Sequence, residues 1–225
     1  MLILCMILLT IVIYFFMAKL YARFGNPFLF PVLTATILII VVLSIFSVPY
    51  DVYMGGAKWI DVMLGPAVVS LAYPLYTQRE SIKKNAVSIF SSVIVALLSG
   101  IISIVLFAKL MKLEDELLLS LLSKSITTPV AMQISESVGG NPALTVVFVM
   151  VAGLTGAIAG PFCLKVFRIE KTVSRGVSIG SASHGFGVSK LSEYGEQALS
   201  MGSVAMTLSA VVGAFICPIV VWLLI

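Results

Sequence analysis

Long apolar stretches without internal charge are the feature that most restricts how this chain can fold. Five such stretches occur, and only the fourth contains a charged residue, near its end: residues 2–17, 28–48, 86–107, 144–166 and 201–225. A bilayer core about 30 Å thick is crossed by roughly 20 apolar residues in an α-helix. Because helices satisfy their own backbone hydrogen bonds in lipid, the sequence predicts an all-α polytopic membrane protein.

Composition excludes several classes of function. The 225 residues are 60% hydrophobic and 11% charged, and the net charge of +4 is too scattered for a nucleic-acid surface. Cys5, Cys163 and Cys217 lie in apolar stretches without metal-ligand spacing, so we interpret them as small core residues. A single histidine, His184, excludes sites that need two imidazoles. We therefore expect neither an enzyme nor a metal or cofactor site.

Three further segments are apolar but interrupted. Residues 60–76 contain Gly65-Pro66 and Pro74, and residues 176–188 contain four glycines and three serines. Residues 117–138 begin as an apolar stretch and then reach Lys124 and a Thr-Thr-Pro sequence. Glycine and proline at membrane depth are tolerated where the unwound chain faces protein or a wet cavity. We therefore predict discontinuous helices at these segments.

The two halves of the chain match each other at an offset of 115 residues. This offset places Gly25-Asn26-Pro27 on Gly140-Asn141-Pro142 and aligns long stretches with long stretches. We predict a first repeat over residues 1–108, a polar connector over 109–116 and a second repeat over 117–225, in a single membrane domain.

Basic residues suggest how the segments cross the membrane. Lys and Arg in short loops favour the cytoplasmic side, which places the clusters near residues 19–23, 79–84 and 165–175 inside. Three segments separate the last two clusters, so one must dip without crossing, and we assign residues 117–138 as re-entrant from outside. The result is about seven transmembrane helices plus one re-entrant segment. The predicted inverted repeat has its N-terminus outside and its C-terminus inside.

The interruptions are also the candidate substrate site, because paired breaks in an inverted repeat commonly meet near the midplane. Half-helix N-termini there offer N–H groups to an anion. The candidate residues are Gly65, Pro66, Ser125, Thr127, Thr128, Gly180, Ser181, Ser183, His184 and Gly185.

Alternatives remain for several of these residues. Small residues also let membrane helices pack closely, which is the interpretation we prefer for Gly153, Gly156 and Gly160. His184 either hydrogen-bonds a neighbouring helix or carries a proton, since an unperturbed imidazole titrates near pH 6.5. Lys124 either joins the hydroxyl cluster that follows it or extends to the interface.

Three motifs identify a family resemblance. Lys124-Ser-Ile-Thr-Thr-Pro-Val-Ala-Met132, Val138-Gly-Gly-Asn-Pro-Ala-Leu144 and Arg175-Gly-Val-Ser-Ile-Gly-Ser-Ala-Ser-His-Gly-Phe-Gly187 strongly resemble the LrgB/CidB family of bacterial membrane proteins. Leu64-Gly-Pro-Ala-Val-Val-Ser-Leu-Ala-Tyr-Pro-Leu75 resembles the corresponding stretch of the first half. The resemblance covers essentially the whole chain.

The resemblance implies two functions for a protein of the bacterial cytoplasmic membrane. One is holin-like or antiholin-like regulation of murein hydrolases and cell lysis, with a small LrgA/CidA-type membrane protein as partner. The other is transport of a small monocarboxylate such as pyruvate or glycolate, with or without a coupled proton. The paired breaks favour the transporter, and a homo-oligomer stays open.

Overall fold

The computed structural model describes residues 2–26 and 29–224, except for the side chains of Leu2 and Leu224. Every regular element in these ranges is helical, which confirms the predicted all-α class. Pro27 of the matched tripeptide lies outside the described residues. So do Phe28, which begins the second predicted segment, and Ile225, which ends the last one. The helices are α1 (Leu2–Phe24), α2 (Pro31–Ile45), α3 (Tyr50–Asp61), α4 (Leu64–Ser70), α5 (Ala72–Thr77), α6 (Arg79–Lys84), α7 (Ala86–Met111), α8 (Asp115–Leu122), α9 (Thr128–Ser137), α10 (Pro142–Val166), α11 (Thr172–Lys190) and α12 (Glu196–Leu224).

Five helical stretches among the described residues are long and apolar enough to cross a membrane. They are Ile3–Phe24, Tyr50–Thr77, Ala86–Met111, Pro142–Val166 and Glu196–Leu223. Helix α2 has 15 residues and is therefore about 23 Å long, shorter than a bilayer core. The predicted multi-pass membrane protein is confirmed at this level.

The chain forms two compact units, residues 1–67 and 68–225. In the first unit, α1 packs against α2 and α3. A Cβ atom at Gly56 of α3 would lie 2.7 Å from the Ile3 carbonyl oxygen, so glycine permits this close helix contact. A hydrogen bond of 3.0 Å joins the Thr10 and Tyr53 hydroxyls and fixes the register of α1 and α3.

In the second unit, α7 and α10 each bury one narrow stripe. The stripe on α7 comprises Ile89, Val93, Leu97, Ile101, Ile104 and Ala108, and the stripe on α10 comprises Thr145, Val149, Gly153, Ala157, Gly160 and Leu164. Their spacing of three or four residues keeps one helix face against neighbouring helices. The remaining apolar faces are exposed, as expected of helices in lipid.

Helices α8 and α9 form a hairpin, here called the first hairpin (residues 115–137). Ser123 Oγ donates a hydrogen bond of 3.1 Å to the Ala131 carbonyl, near the turn. At the open end, a Cβ atom at Gly140 would lie 2.9 Å from the Ser120 backbone nitrogen. The two helices therefore run antiparallel, and the segment returns to the end at which it began. This agrees with the predicted interruption of residues 117–138.

Helix α11 also doubles back, at His184, and forms the second hairpin (residues 172–194) together with the 3-10 turn Leu191–Tyr194. The Arg175 guanidinium carbon lies 5.1 Å from the centre of the Tyr194 ring. Nineteen residues of straight helix would separate these positions by about 28 Å. Residues 176–188 therefore fold back on themselves, whereas the sequence predicts a broken span for this segment. The serine- and glycine-rich sequence gave no signal for a reversal rather than a kinked span.

The cysteines differ from the prediction in part. Cys217 is buried, in agreement with the interpretation as a core residue, but Cys5 and Cys163 are exposed. Both lie on long apolar helices whose outer faces pack against no other part of the chain, so a small apolar residue there gives no sign of burial.

Candidate functional site

The open end of the first hairpin is held by a buried hydrogen-bond network on the motif that precedes α10. The Asn141 backbone N–H donates to Ser120 Oγ at 2.7 Å, and the Asn141 side chain donates to Glu116 Oε1 at 3.1 Å. Thr145 Oγ1 contacts Ser135 Oγ at 2.7 Å and the Ser120 carbonyl at 3.0 Å. Ser120, Ser135 and Thr145 are fully buried. Each such bond stabilises by about 1 kcal/mol, and together they fix the hairpin against α10.

The first tip, residues 123–127, lies halfway along two long helices. A Cβ atom at Gly100 of α7 would lie 3.7 Å from Ser125 Oγ. A Cβ atom at Gly213 of α12 would overlap the Ile126 side chain, so glycine makes room for the tip. Gly100 and Gly213 are both near the middle of helices that span a bilayer. The first tip is therefore near mid-depth.

The second tip, residues 183–185, also lies at mid-depth, against the centre of α10. Gly153 would place a Cβ atom 2.6 Å from the His184 ring and 2.8 Å from the Phe186 ring. Gly156 makes a similar close approach to Ser183. These glycines do serve close packing, as predicted, but they pack against the second tip itself. A substitution at Gly153 or Gly156 would therefore also disturb the second tip.

His184 makes the reversal in a strained conformation. Its φ of 36° and ψ of −138° lie in a region that favours glycine, and such a residue costs about 1–3 kcal/mol. The imidazole is 2% exposed, and its ring packs edge-on against Phe186 at 5.8 Å. A histidine that persists under this strain at a buried turn indicates a function for its side chain.

One charged residue of the first tip lies near the second tip. The Lys124 ammonium and the His184 ring are in electrostatic range, and the Val149 carbonyl is within hydrogen-bonding reach of the ring. Helix α9 begins directly after the first tip, at Thr128, and no side chain caps its N-terminus. Free N–H groups, the helix dipole and the Lys124 charge all favour an anion at this position.

Three buried side-chain atoms in the described part of the chain have no hydrogen-bond partner. They are Ser181 Oγ, His184 Nε2 and Ser209 Oγ. Leaving such an atom unpaired costs about 1–3 kcal/mol. Ser181 and His184 belong to the second hairpin near its tip, and Ser209 lies near the middle of α12. All three therefore have free hydrogen-bonding capacity at the depth of the tips.

The structure brings together part of the predicted site. Ser125, Thr127 and Thr128 lie at the first tip, and Ser181, Ser183, His184 and Gly185 lie at or just before the second. Gly180 is different: it lies in a helical limb, and a Cβ atom there would overlap the Gly202 backbone. Its evident role is packing of α11 on α12. Gly65 and Pro66 occupy the first turn of α4, which begins in the other unit.

Sequence reasoning missed three contributors to this site and left a fourth open. Ser209 lies in an uninterrupted apolar helix, so it has no distinguishing signal. Gly153 and Gly156 were separated from the site because helix glycines usually serve packing. Lys124 was left between two interpretations, and its proximity to His184 depends on how the hairpins fold.

Comparison with known proteins gives consistent matches over nearly the whole chain. The model of the LrgB-like family matches residues 10–223. The uncharacterized protein YxaC of Bacillus subtilis is 56% identical over 96% of this chain and 94% of its own length. The holin-like protein CidB of Staphylococcus aureus is 39% identical over 98% of this chain and 96% of its own length. No solved structure gives a significant match.

Proposed function

Because the chain belongs to the LrgB-like family, whose name leaves the molecular activity open, we propose an activity from the geometry: secondary transport of a small monocarboxylate. The observation that carries this proposal is the pair of hairpin tips, each at the middle of long apolar helices, with Lys124 of one in electrostatic range of His184 of the other. A site reached by re-entrant segments from both ends can be exposed to one side at a time. Uninterrupted helices would suffice for a pore.

The chemistry at the tips supports an anionic substrate. Lys124 supplies positive charge, and the start of α9 supplies uncapped N–H groups. Ser181 and His184 each have an unpaired polar atom to donate or accept a hydrogen bond. We propose His184 as the proton-coupling residue, since its imidazole has an unpaired nitrogen at the second tip that can take up or release a proton.

The hairpins support a revised inverted repeat. Each hairpin is followed by one long helix, α10 after the first and α12 after the second. Ile169 and Leu191 pack in one cluster, which places the open end of the second hairpin beside the end of α10. The open ends of the two hairpins are therefore at opposite ends of α10. We propose inverted units of residues 115–166 and 172–224 within the second unit, in place of residues 1–108 and 117–225.

We propose that the protein lies in the bacterial cytoplasmic membrane with its N-terminus outside. The loops that contain Lys84 and Lys171 then lie inside, by the distribution of basic residues. One revision follows from the second hairpin. Since it returns to the inner side, α12 starts inside and ends outside, so the C-terminus is proposed to be outside rather than inside.

Labelling of introduced cysteines tests this topology. We expect Asp51→Cys to react with an impermeant thiol reagent from outside in intact cells, and Lys84→Cys and Lys171→Cys to react only after permeabilisation. The exposed Cys5 and Cys163 must be replaced by alanine first. Reaction of Lys84→Cys and Lys171→Cys from opposite sides would overturn the re-entrant assignment of the first hairpin, which lies between these two positions.

A second candidate function is holin-like control of cell lysis, with a small LrgA/CidA-type membrane protein as partner. It is favoured by the name of the Staphylococcus aureus relative, a holin-like protein at 39% identity. A holin-like protein perforates or depolarises the membrane without selecting a solute. This candidate predicts leakage in place of saturable exchange.

Purified protein in sealed liposomes separates the two candidates. We expect uptake of labelled glycolate or pyruvate to saturate and to be stimulated by unlabelled carboxylate on the other side, because an alternating site must rearrange for each molecule. A trapped fluorescent dye should stay inside. Unsaturable flux together with dye release would instead support the holin-like function, and addition of the partner protein would show whether it is required.

A further inference from the structure

A serine-lined groove between α7 and α11 leads from a basic loop towards the second tip. It has a volume of about 740 Å³ and opens at the loop between α10 and α11, beside Arg168 and Lys171. The serines that line it lie one turn apart on each helix: Ser88 and Ser92 on α7, and Ser174, Ser178 and Ser181 on α11. Two facing rows of hydroxyls therefore border one continuous groove.

The depth of the groove matches the position of the second tip. Ser181 lies ten residues beyond Lys171, which corresponds to about 15 Å along a helix, or half of a bilayer core. His184 follows Ser181 within one turn. The groove therefore extends from the basic end of the second unit to within one helical turn of the second tip.

Ser181 gives independent support for a ligand. The residue is 2% exposed, its Oγ has no hydrogen-bond partner among the described residues, and it lines the inner part of the groove. A buried hydroxyl without a partner is destabilising unless something else supplies the hydrogen bond. Two other serines of α11 form local bonds: Ser178 Oγ donates to the Arg175 carbonyl at 3.2 Å and Ser189 Oγ to the Phe186 carbonyl at 2.7 Å.

The charges at the mouth favour an anion. Arg168 and Lys171 contribute two positive charges, and Glu170 in the same lining offsets one of them. A groove with low-dielectric walls concentrates the field of the remaining charge.

We infer that this groove is the inner access path for the substrate, binding a small hydroxylated or oxo-carboxylate between its two rows of serines on the way to the tips. The inference rests on the proposed transport function. It adds a route, a side of the membrane and a preference for ligands that combine a carboxylate with a second hydrogen-bonding oxygen.

Neighbouring cysteines on α7 test the groove without measuring transport. Ser92→Cys lies in the groove, whereas Ser91→Cys lies on the same turn outside it. Both are made in the full chain with Cys5 and Cys163 replaced by alanine. We expect Ser92→Cys to react about tenfold faster with an anionic than with a cationic methanethiosulfonate, as expected of a positive cleft. Ser91→Cys should show no preference or stay unreacted.

Protection by glycolate tests binding, with sodium chloride at equal ionic strength as control. We expect glycolate, and not chloride, to slow modification of Ser92→Cys. Adding Ser181→Ala should raise the half-protecting concentration about tenfold without lowering the thermal midpoint, because the hydroxyl it removes is unpaired. Arg168→Gln combined with Lys171→Gln should abolish the preference for the anionic reagent.

The outcomes separate this inference from the proposed function. Equal reactivity with both reagents, or no protection by glycolate, would overturn the assignment of the groove as an access path, even if liposomes show saturable uptake. A lower thermal midpoint for Ser181→Ala with unchanged protection would also overturn it. Protection by glycolate without any uptake would support the groove as a binding site and reject the carrier.

Discussion

Replacing His184 by alanine is expected to lower carboxylate uptake about tenfold or more while the protein still folds. The ring has an unpaired Nε2 at the second tip and lies in electrostatic range of Lys124. Loss of a hydrogen bond from a charged group to a carboxylate lowers affinity about tenfold to a hundredfold. If the imidazole also carries the coupled proton, the remaining uptake should lose its dependence on external pH. Liposome uptake over a range of external pH measures both effects.

A second substitution at His184 distinguishes the role of the side chain from the strain of the backbone. His184→Gly removes the ring and also relieves the positive φ, whereas His184→Ala keeps the strain. We expect the free energy of unfolding to be about 1 kcal/mol larger for the glycine variant than for the alanine variant. Carboxylate uptake should be equally low for both. An alanine variant with normal uptake and pH dependence would return His184 to a structural role.

The matched control for this experiment is Gly160→Ala. Gly160 lies on the same stripe of α10, but its Cβ atom would meet only the end of the flexible Ile179 side chain. We expect normal uptake from this variant. Gly153→Ala, by contrast, should impair uptake as His184→Ala does, because its methyl group would push on the His184 ring.

Two glycines of the second hairpin are expected to respond in opposite ways to alanine. Gly180→Ala would place a methyl group 2.9 Å from the backbone Cα of Gly202, and backbone atoms cannot turn aside. We expect a loss of about 3 kcal/mol in the free energy of unfolding, as for severe overpacking. Gly185 is exposed, and a Cβ atom there would meet no atom within 4 Å. Gly185→Ala should therefore gain about 0.5 kcal/mol from helix propensity.

Thermal unfolding of the two purified variants in detergent measures this difference. Gly180→Ala should melt well below the unaltered protein and elute partly as aggregate, and Gly185→Ala should melt at or above it. Equal midpoints for the pair would show that α11 and α12 do not pack as described. Because Gly185→Ala does not lower the stability of the protein, any loss of uptake by this variant reports on the second tip itself.

The sequence by itself determined the class of the protein and the places where its helices break. Apolar stretches such as residues 86–107 and 201–225 must be helical because lipid offers no partner for backbone groups. The same constraint made the interruptions near Lys124 and His184 visible, and their motifs indicated the family. These conclusions depend only on local composition and on the physics of the bilayer.

Only the tertiary structure decided that the interruption at His184, like the one the sequence assigned as re-entrant near Lys124, is a reversal. A break near His184 fits a kinked span and a hairpin equally well, because both need unwound backbone facing protein. The choice is made by distant contacts, namely Arg175 with Tyr194 and Gly180 with Gly202. The first joins two side chains 19 residues apart, and the second joins two helices through a backbone approach that only glycine permits. No periodicity along the chain encodes them, so the proximity of Lys124 and His184 appears only once the hairpins are folded.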